Sequence, residues 1–263
     1  ANGYRVVVVE SRDRPGGRMW TDYSLGTAVD LGAAWIHGDA SSNPLMKMVA
    51  KYGLSTTATE WDEAWLFDIG YGEIEDESYD AIWRRSEGII ERLYEAQSTA
   101  SSKRSVADAL APILKGLSGD PIVKRGIQWF LSSQIEVEYA TNFDQLALKH
   151  WDMDEKFGGD DVIVSGGFQK IVEPLSDGLD IRYGHVVEKV SFDGSGVKVS
   201  TSQGVIQADR AVVTLPLGVL QQDRVRFEPQ LPEDKRSSIG RLGMGVMNKI
   251  GLRFSKRFWP KDA

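Results

Sequence analysis

Glu10 closes a run of four valines, Val6 to Val9, and is followed at short range by Gly16, Gly17 and Arg18. The β-branched run suits a buried central strand of a parallel sheet. An acid at the carboxyl end of such a strand stands where a doubly wound sheet holds a nucleotide ribose. The paired glycines let backbone approach a diphosphate closely, and the arginine offers it a planar fork of donors. Taken singly, these residues also read as a solvated strand end, a turn and a surface charge. Their order, ribose acceptor before diphosphate donor, carries the nucleotide reading.

A second residue suited to chemistry is His37, in Trp35-Ile36-His37-Gly38. Imidazole titrates near neutral pH, so it can bind a neutral nitrogen or accept its proton. A lone histidine is also an ordinary structural residue. The three histidines show no metal-ligand spacing, and the chain has no cysteine. This argues against a metal site and excludes disulfides and thiolate chemistry.

The 263 residues, 41% hydrophobic and 26% charged, suit one large or two modest globular domains. No apolar run approaches the roughly 18 residues of a membrane span. The net charge of −7 disfavours nucleic-acid binding. Acids crowd between Glu60 and Asp80, where there is no lysine or arginine, and Trp61, Trp65, Phe67 and Tyr71 interleave with them. Such a field concentrates polycations; a merely solubilising acidic face is the alternative.

The positioning elements follow from local signals. Asn43-Pro44 predicts a helix start and Gly53 its end. Trp65 to Asp68 reads as a short strand with a turn at Tyr71-Gly72, and an amphipathic helix is expected over about Tyr79 to Ala96. Ser105 caps a further helix, and another runs from Pro121 to about Gln134. After Gly166-Gly167-Phe168 comes a helix to about Leu175. Short strands are expected at 179–183, 186–192, 197–201 and 205–206, a buried one at Ala211 to Thr214, and one from Lys249 to Phe254 after a helix over 232–242.

The ordered set Glu10, Arg12-Asp13-Arg14, Gly16-Gly17-Arg18 and Leu31-Gly32-Ala33-Ala34-Trp35-Ile36-His37-Gly38 resembles the FAD-dependent amine oxidases, and within them the polyamine oxidases, including spermine oxidase. The resemblance covers essentially the whole chain and is strongest over 4–46, 151–190 and 211–260. The family's glycine-rich turn, G-x-G-x-x-G, precedes the acid; here the chain starts at Ala1-Asn2-Gly3, directly before that strand. The family's last flavin-contacting helix likewise has no counterpart, so a fragment that needs the remaining segments of the same protein to complete its site is expected.

The implied fold is α/β with α+β elements: a Rossmann-type FAD-binding domain interleaved with a mixed sheet-and-helix substrate domain. Residues 1–39 and 156–217 would form the FAD domain, 40–155 and 218–263 the substrate domain. The implied cofactor is FAD, with Glu10 on the ribose and Arg12, Gly16, Gly17 and Arg18 around the diphosphate. Val187 would hold the adenine through its backbone. Gly32, Ala33, Ala34 and Trp35 would line the cofactor, as would Leu215 and Pro216 at the end of their strand. His37 would position the amine beside the flavin. Lys249, in Met247-Asn248-Lys249-Ile250, would bridge through water to the flavin's reactive nitrogen, with burial lowering its pKa. Glu136 and Glu138 are candidates for a polyamine ammonium, or simply alternate acids on a short exposed strand.

The implied activity is oxidation of spermine, spermidine or acetylated forms to an imine, with O2 as co-substrate, hydrogen peroxide as product and no nucleic-acid or membrane partner. A histone-demethylase-like or monoamine-type oxidase is the nearest alternative, and a flavin-free scaffold of the same fold the more distant one. The compartment, cytoplasm or peroxisome, is left open.

Overall fold

Asn43 begins the first helix as its side chain dictates: Oδ1 accepts the Leu45 N–H at 3.0 Å, and Pro44 follows where no amide donor is needed. This is a computed structural model that describes residues 3–61 and 65–259. Asp62 and Glu63 of the acidic stretch, Ala1-Asn2 and Pro260 lie outside the described residues. The α-helices are α1 Pro44–Lys51, α2 Asp76–Gln97, α3 Val106–Lys115, α4 Pro121–Leu131, α5 Gln169–Ser176, α6 Leu217–Gln221 and α7 Glu233–Arg241.

The chain divides into two compact units. The first comprises Ala1–Thr59, Phe157–Met244 and Ile250–Arg253; the second comprises Glu60–Lys156, Gly245–Lys249 and Phe254–Ala263. Residues 40–59 and 218–244, expected with the helical part, thus pack within the first unit.

In the first unit, Val7–Val9 pairs in parallel with Asp180–Arg182, placing Val8 opposite Ile181. A four-stranded sheet runs in the order Gly204–Ala208, Gly196–Thr201, Val187–Asp193, Arg226–Glu228. A third sheet sets Val162–Val164 between Trp35–Ile36 and Thr56–Ala58. Its core is Ile36, Val49, Val162, Val164, Phe168 and Ile171, so α1 and α5 close on the sheet that carries His37. α5 is seated by a polar knot. The Asp30 carboxylate accepts the Phe168 N–H at 3.0 Å, and Thr21 Oγ1 accepts the Gln169 N–H at 3.0 Å while donating to Asp30. These acceptors satisfy amides that the first turn of a helix leaves open.

The second unit is a helical bundle. Ile82, Ile89 and Leu93 of α2 bury against Val106 and Leu110 of α3 and Val123, Ile127 and Phe130 of α4. Ser105 and Asp108 exchange side-chain and backbone hydrogen bonds in a capping box that holds α3. Gly126 lets α2 and α4 touch: a Cβ there would stand 2.1 Å from Ile82 Cδ1.

Three expectations are corrected. Ala211 to Thr214 forms no strand and is exposed, Val212 at 90%, because among the described residues no strand offers it a ladder and no side chain covers its apolar faces. Val6 to Val9 is not a buried central strand either; among the described residues Val7–Val9 has one partner strand, and Val6 and Val8 are exposed. Lys249 to Phe254 has no regular structure, and its alternating pattern meets no partner edge among the described residues.

Candidate functional site

The end of Val7–Val9 is locked on both sides. The Glu10 N–H donates to Arg182 O at 3.0 Å, and Glu10 O accepts the His185 N–H at 3.0 Å. Glu10 Oε1 accepts the Arg12 N–H at 2.8 Å and the Ser11 hydroxyl at 3.4 Å, which fixes the carboxylate. Its other oxygen accepts nothing from the described residues and keeps its lone pairs for a ligand hydroxyl. Val187 heads its strand two residues beyond His185, so the same corner includes it.

The turn after Glu10 is held from inside. Arg12 Nη1 and Arg14 Nη2 both donate to Gly17 O, at 3.0 and 2.9 Å. Arg14 also lies over the Trp20 ring at 4.9 Å. Burial, followed by the neighbouring Arg12 charge, lowers the Arg14 guanidinium pKa from its ordinary value. Gly16 and Gly17 have φ of +94° and +56°, and a Cβ on Gly16 would stand 2.7 Å from Met19 O. The backbone N–H groups of Gly16, Gly17 and Arg18 donate to no described residue, and the Arg18 side chain is exposed. Consecutive open amides beside a guanidinium form an anion-binding concavity. These residues fit the diphosphate and ribose of a dinucleotide.

Gly32 runs against that turn. Its missing Cβ would stand 1.8 Å from Arg18 O, and the Ala33 N–H donates to the same carbonyl at 3.2 Å. The structure therefore brings Arg18 together with Gly32 and Ala33. Trp35 continues into the strand and donates from Nε1 to Thr59 Oγ1 at 2.9 Å.

His37 leaves that strand with its side chain 66% exposed. Its Nδ1 lies 3.1 Å from Asp161 Oδ2, and Asp161 Oδ1 accepts the Gly38 N–H at 3.3 Å. A carboxylate only accepts, so in the neutral ring Nδ1 carries the hydrogen and Nε2 presents its lone pair. Asn43, which caps α1, donates from Nδ2 to His37 O at 3.1 Å and Gly38 O at 2.8 Å. Gly38 has φ of +79°, and a Cβ there would meet Phe157 O at 2.5 Å. Asp161 and Asn43 were missed as site residues. Asp161 is distant in sequence from His37, and Asn43 is legible only as a helix cap.

The remaining expected residues are placed as follows. Leu215 is half-buried, and Pro216 caps the short helix α6 rather than ending a strand. Lys249 belongs to the second unit and is half-buried, in a segment whose Val246 N–H donates to Ala140 O at 3.2 Å. Glu136 and Glu138 do not lie on a strand: α4 continues into a π-helix, Ser132–Val137, capped by Glu138. Glu136 Oε2 accepts the Ser132 hydroxyl at 2.7 Å within the π-helix, and Oε1 accepts the Phe143 N–H at 3.1 Å, which ties the π-helix to the turn beyond it. Glu138 is exposed.

The family model described as flavin containing amine oxidoreductase matches residues 1–263. Polyamine oxidase 2 of Arabidopsis thaliana is 36% identical over 98% of this chain and 55% of its own length. Polyamine oxidase 3 of Oryza sativa subsp. japonica is also 36% identical, over 98% of this chain and 56% of its own. Lysine-specific histone demethylase 1 homolog 2 of Arabidopsis thaliana is 30% identical over 99% of this chain and 36% of its own. Among solved structures, a putrescine oxidase redesigned in its cofactor binding superposes with a TM-score of 0.56 at 20% identity, over 89% of this chain and 57% of that one, which shows a shared fold. The chain spans about half the length of the curated polyamine oxidases it matches.

Proposed function

Because this chain belongs to the flavin-containing amine oxidoreductases, we propose that the full-length protein oxidises amines and that polyamines are its substrate class. The observation that carries the reading is the His37–Asp161 pair, which holds an exposed imidazole with Nε2 available to an amine. Two polyamine oxidases at 36% identity over nearly the whole chain support the substrate class.

A bound flavin supplies the two-electron acceptor that amine oxidation requires. The chain's own residues hold and orient. Glu10 accepts from the ribose hydroxyls, while the amides of Gly16 to Arg18 and the Arg18 guanidinium take the diphosphate. Val187, Gly32 to Trp35, Leu215 and Pro216 line the cofactor. His37 Nε2 accepts the proton of the substrate ammonium, because only the neutral amine has a lone pair to drive loss of hydride from the adjacent carbon. Loss of that hydride and of the N–H proton leaves an imine. Water adds to it and releases an aldehyde and the shortened amine, and O2 takes up two electrons and two protons as hydrogen peroxide. Lys249 holds the water for one of these last steps. Spermine, spermidine and their acetylated forms are the substrates in this reading.

A second reading is demethylation of a lysine side chain, favoured by the 30% identity to the demethylase homologue. Both are tested by the visible absorbance of the full-length protein under anaerobic conditions. Bleaching of a flavin spectrum by spermine or spermidine, and not by a dimethyl-lysine histone peptide, is expected. Bleaching by the peptide alone would replace the polyamine reading with the second one. A protein without a flavin spectrum would overturn both.

A further inference from the structure

A groove of about 620 Å³ lies between α2 and the C-terminal end of α3, within the second unit. Arg84, Arg85 and Arg92 rim it, and Ile89, Pro112 and Ile113 form its apolar floor. No acid lines it, and none of the three arginines is ion-paired to a described residue. Arg84 and Arg85 donate only to backbone, at Asp80 O and Ser118 O. The helix also carries Glu87, Glu91 and Glu95, yet none of these closes an ion pair with the three arginines. Gly88 sits on the same face in the interior of α2, where a glycine costs about 1 kcal/mol against alanine. No packing demands it, since a Cβ there would meet nothing within 4 Å; its effect is to keep the groove open.

The other end of α2 is its chemical complement. The hairpin pairing Phe67–Asp68 with Gly72–Glu73 is pinned to the bundle by Asp68–Arg125 at 2.8 Å and by the buried Ile74. Its outer surface exposes Phe67, Ile69 and Tyr71, and Glu75, Asp76, Glu77 and Asp80 follow at once. Apolar side chains with an acid border match the groove's apolar floor and basic rim in both respects.

We propose that two copies of this chain pair about a two-fold axis, the acidic hairpin of each lying in the arginine-rimmed groove of the other. Glu75 and Gly88 are about 20 Å apart along α2 at 1.5 Å per residue. Glu77 stands about three turns before Gly88 and so on the same face of α2, and antiparallel apposition of two α2 helices lets both contacts form together. The axis uses each patch twice, which lets modest patches reach the roughly 1,200 Å² of a stable interface.

Sedimentation velocity of the full-length protein tests the pairing. A dimer at low ionic strength that dissociates as salt screens the charges is expected. Arg85→Glu with Arg92→Glu raises the dimer Kd about tenfold or more. Gly88→Gln does the same by filling the groove without a change of charge, and an unchanged melting temperature shows that the fold is intact. Glu75→Lys with Asp76→Lys also yields monomers. Mixed with the arginine-reversed protein, this variant re-forms a dimer, since both contacts of the mixed pair are again complementary. A wild-type monomer at every salt and protein concentration, a dimer indifferent to these changes, or a mixture that stays monomeric would each overturn the proposal.

Discussion

His37 Nδ1 and Asp161 Oδ2 lie 3.1 Å apart although 124 residues of chain separate them, and the same carboxylate takes the Gly38 N–H. The acid thus fixes both the ring and the backbone that carries it. Removing the imidazole with His37→Gln is expected to lower kcat/KM for polyamine by about 100-fold or more, the usual scale of a lost acid–base group. Asp161→Ala leaves the ring in place but unoriented, so a smaller loss and a displaced pH–rate profile are expected, at unchanged flavin content. Steady-state kinetics across pH would check both, and identical profiles for wild type and Asp161→Ala would refute the positioning role.

Gly16 cannot carry a side chain without strain, given its φ of +94° and the carbonyl 2.7 Å from a built Cβ. Gly16→Ala is expected to cost about 1–3 kcal/mol locally and to lower the flavin content of the purified full-length protein. Absorbance ratios at the flavin and protein bands measure this directly.

Glu10→Gln keeps the shape of the strand end but weakens a charge-assisted contact of about 1.5–3 kcal/mol. A flavin dissociation constant raised about tenfold or more is expected in titrations of the apoprotein, with little change in melting temperature.

Asp152 closes a network in the second unit. It accepts from Lys156 Nζ at 2.8 Å, from the Tyr139 hydroxyl at 3.1 Å and from the Tyr94 hydroxyl, with φ of +50°. Burial pushes its carboxyl up, but the hydrogen bonds from Lys156, Tyr94 and Tyr139 prevail and hold it below the ordinary value. A depressed carboxyl stabilises the fold above its unfolded value, about 3.9, and loses that contribution as pH falls through the folded one. Asp152→Asn, which tolerates the same backbone, is expected to melt earlier than wild type at neutral pH. The gap should close below about pH 4. Thermal melts across pH would expose a gap that persists in acid, which would assign the effect to shape rather than charge.

Gly126→Ala drives a methyl into Ile82 and is expected to destabilise by about 1–3 kcal/mol. Shortening the obstacle with Ile82→Ala in the same chain should return part of that loss, giving a non-additive cycle in denaturant unfolding.

Helix starts were legible because a cap is a local device: Asn43 before Pro44, Ser105 before Asp108 and Asp120 before Pro121 all begin helices where their side chains accept the open amides. The turn at the paired glycines was legible for the same reason, since Gly16 and Gly17, both at positive φ, serve their own backbone. Strands are different. Val212 and Val213 have the residue types of a buried strand, yet a strand exists only where a second edge pairs with it. The π-helical continuation of α4 escaped because Glu136 is fixed by Phe143, which lies beyond the helix. Asp161 escaped likewise, as did the Tyr94 bond of Asp152, because both depend on tertiary folding; only Lys156, four residues beyond Asp152, is a partner by spacing.

The register that puts Val8 opposite Ile181 has a consequence for synthesis. A ribosome must deliver more than two-thirds of this chain before the strand Val7–Val9 meets its parallel neighbour. The α2–α4 bundle, whose buried contacts are local, is complete in sequence well before then. Vectorial synthesis therefore favours a helical body that forms first, while the strand that leads to Glu10 waits for its late-arriving partner.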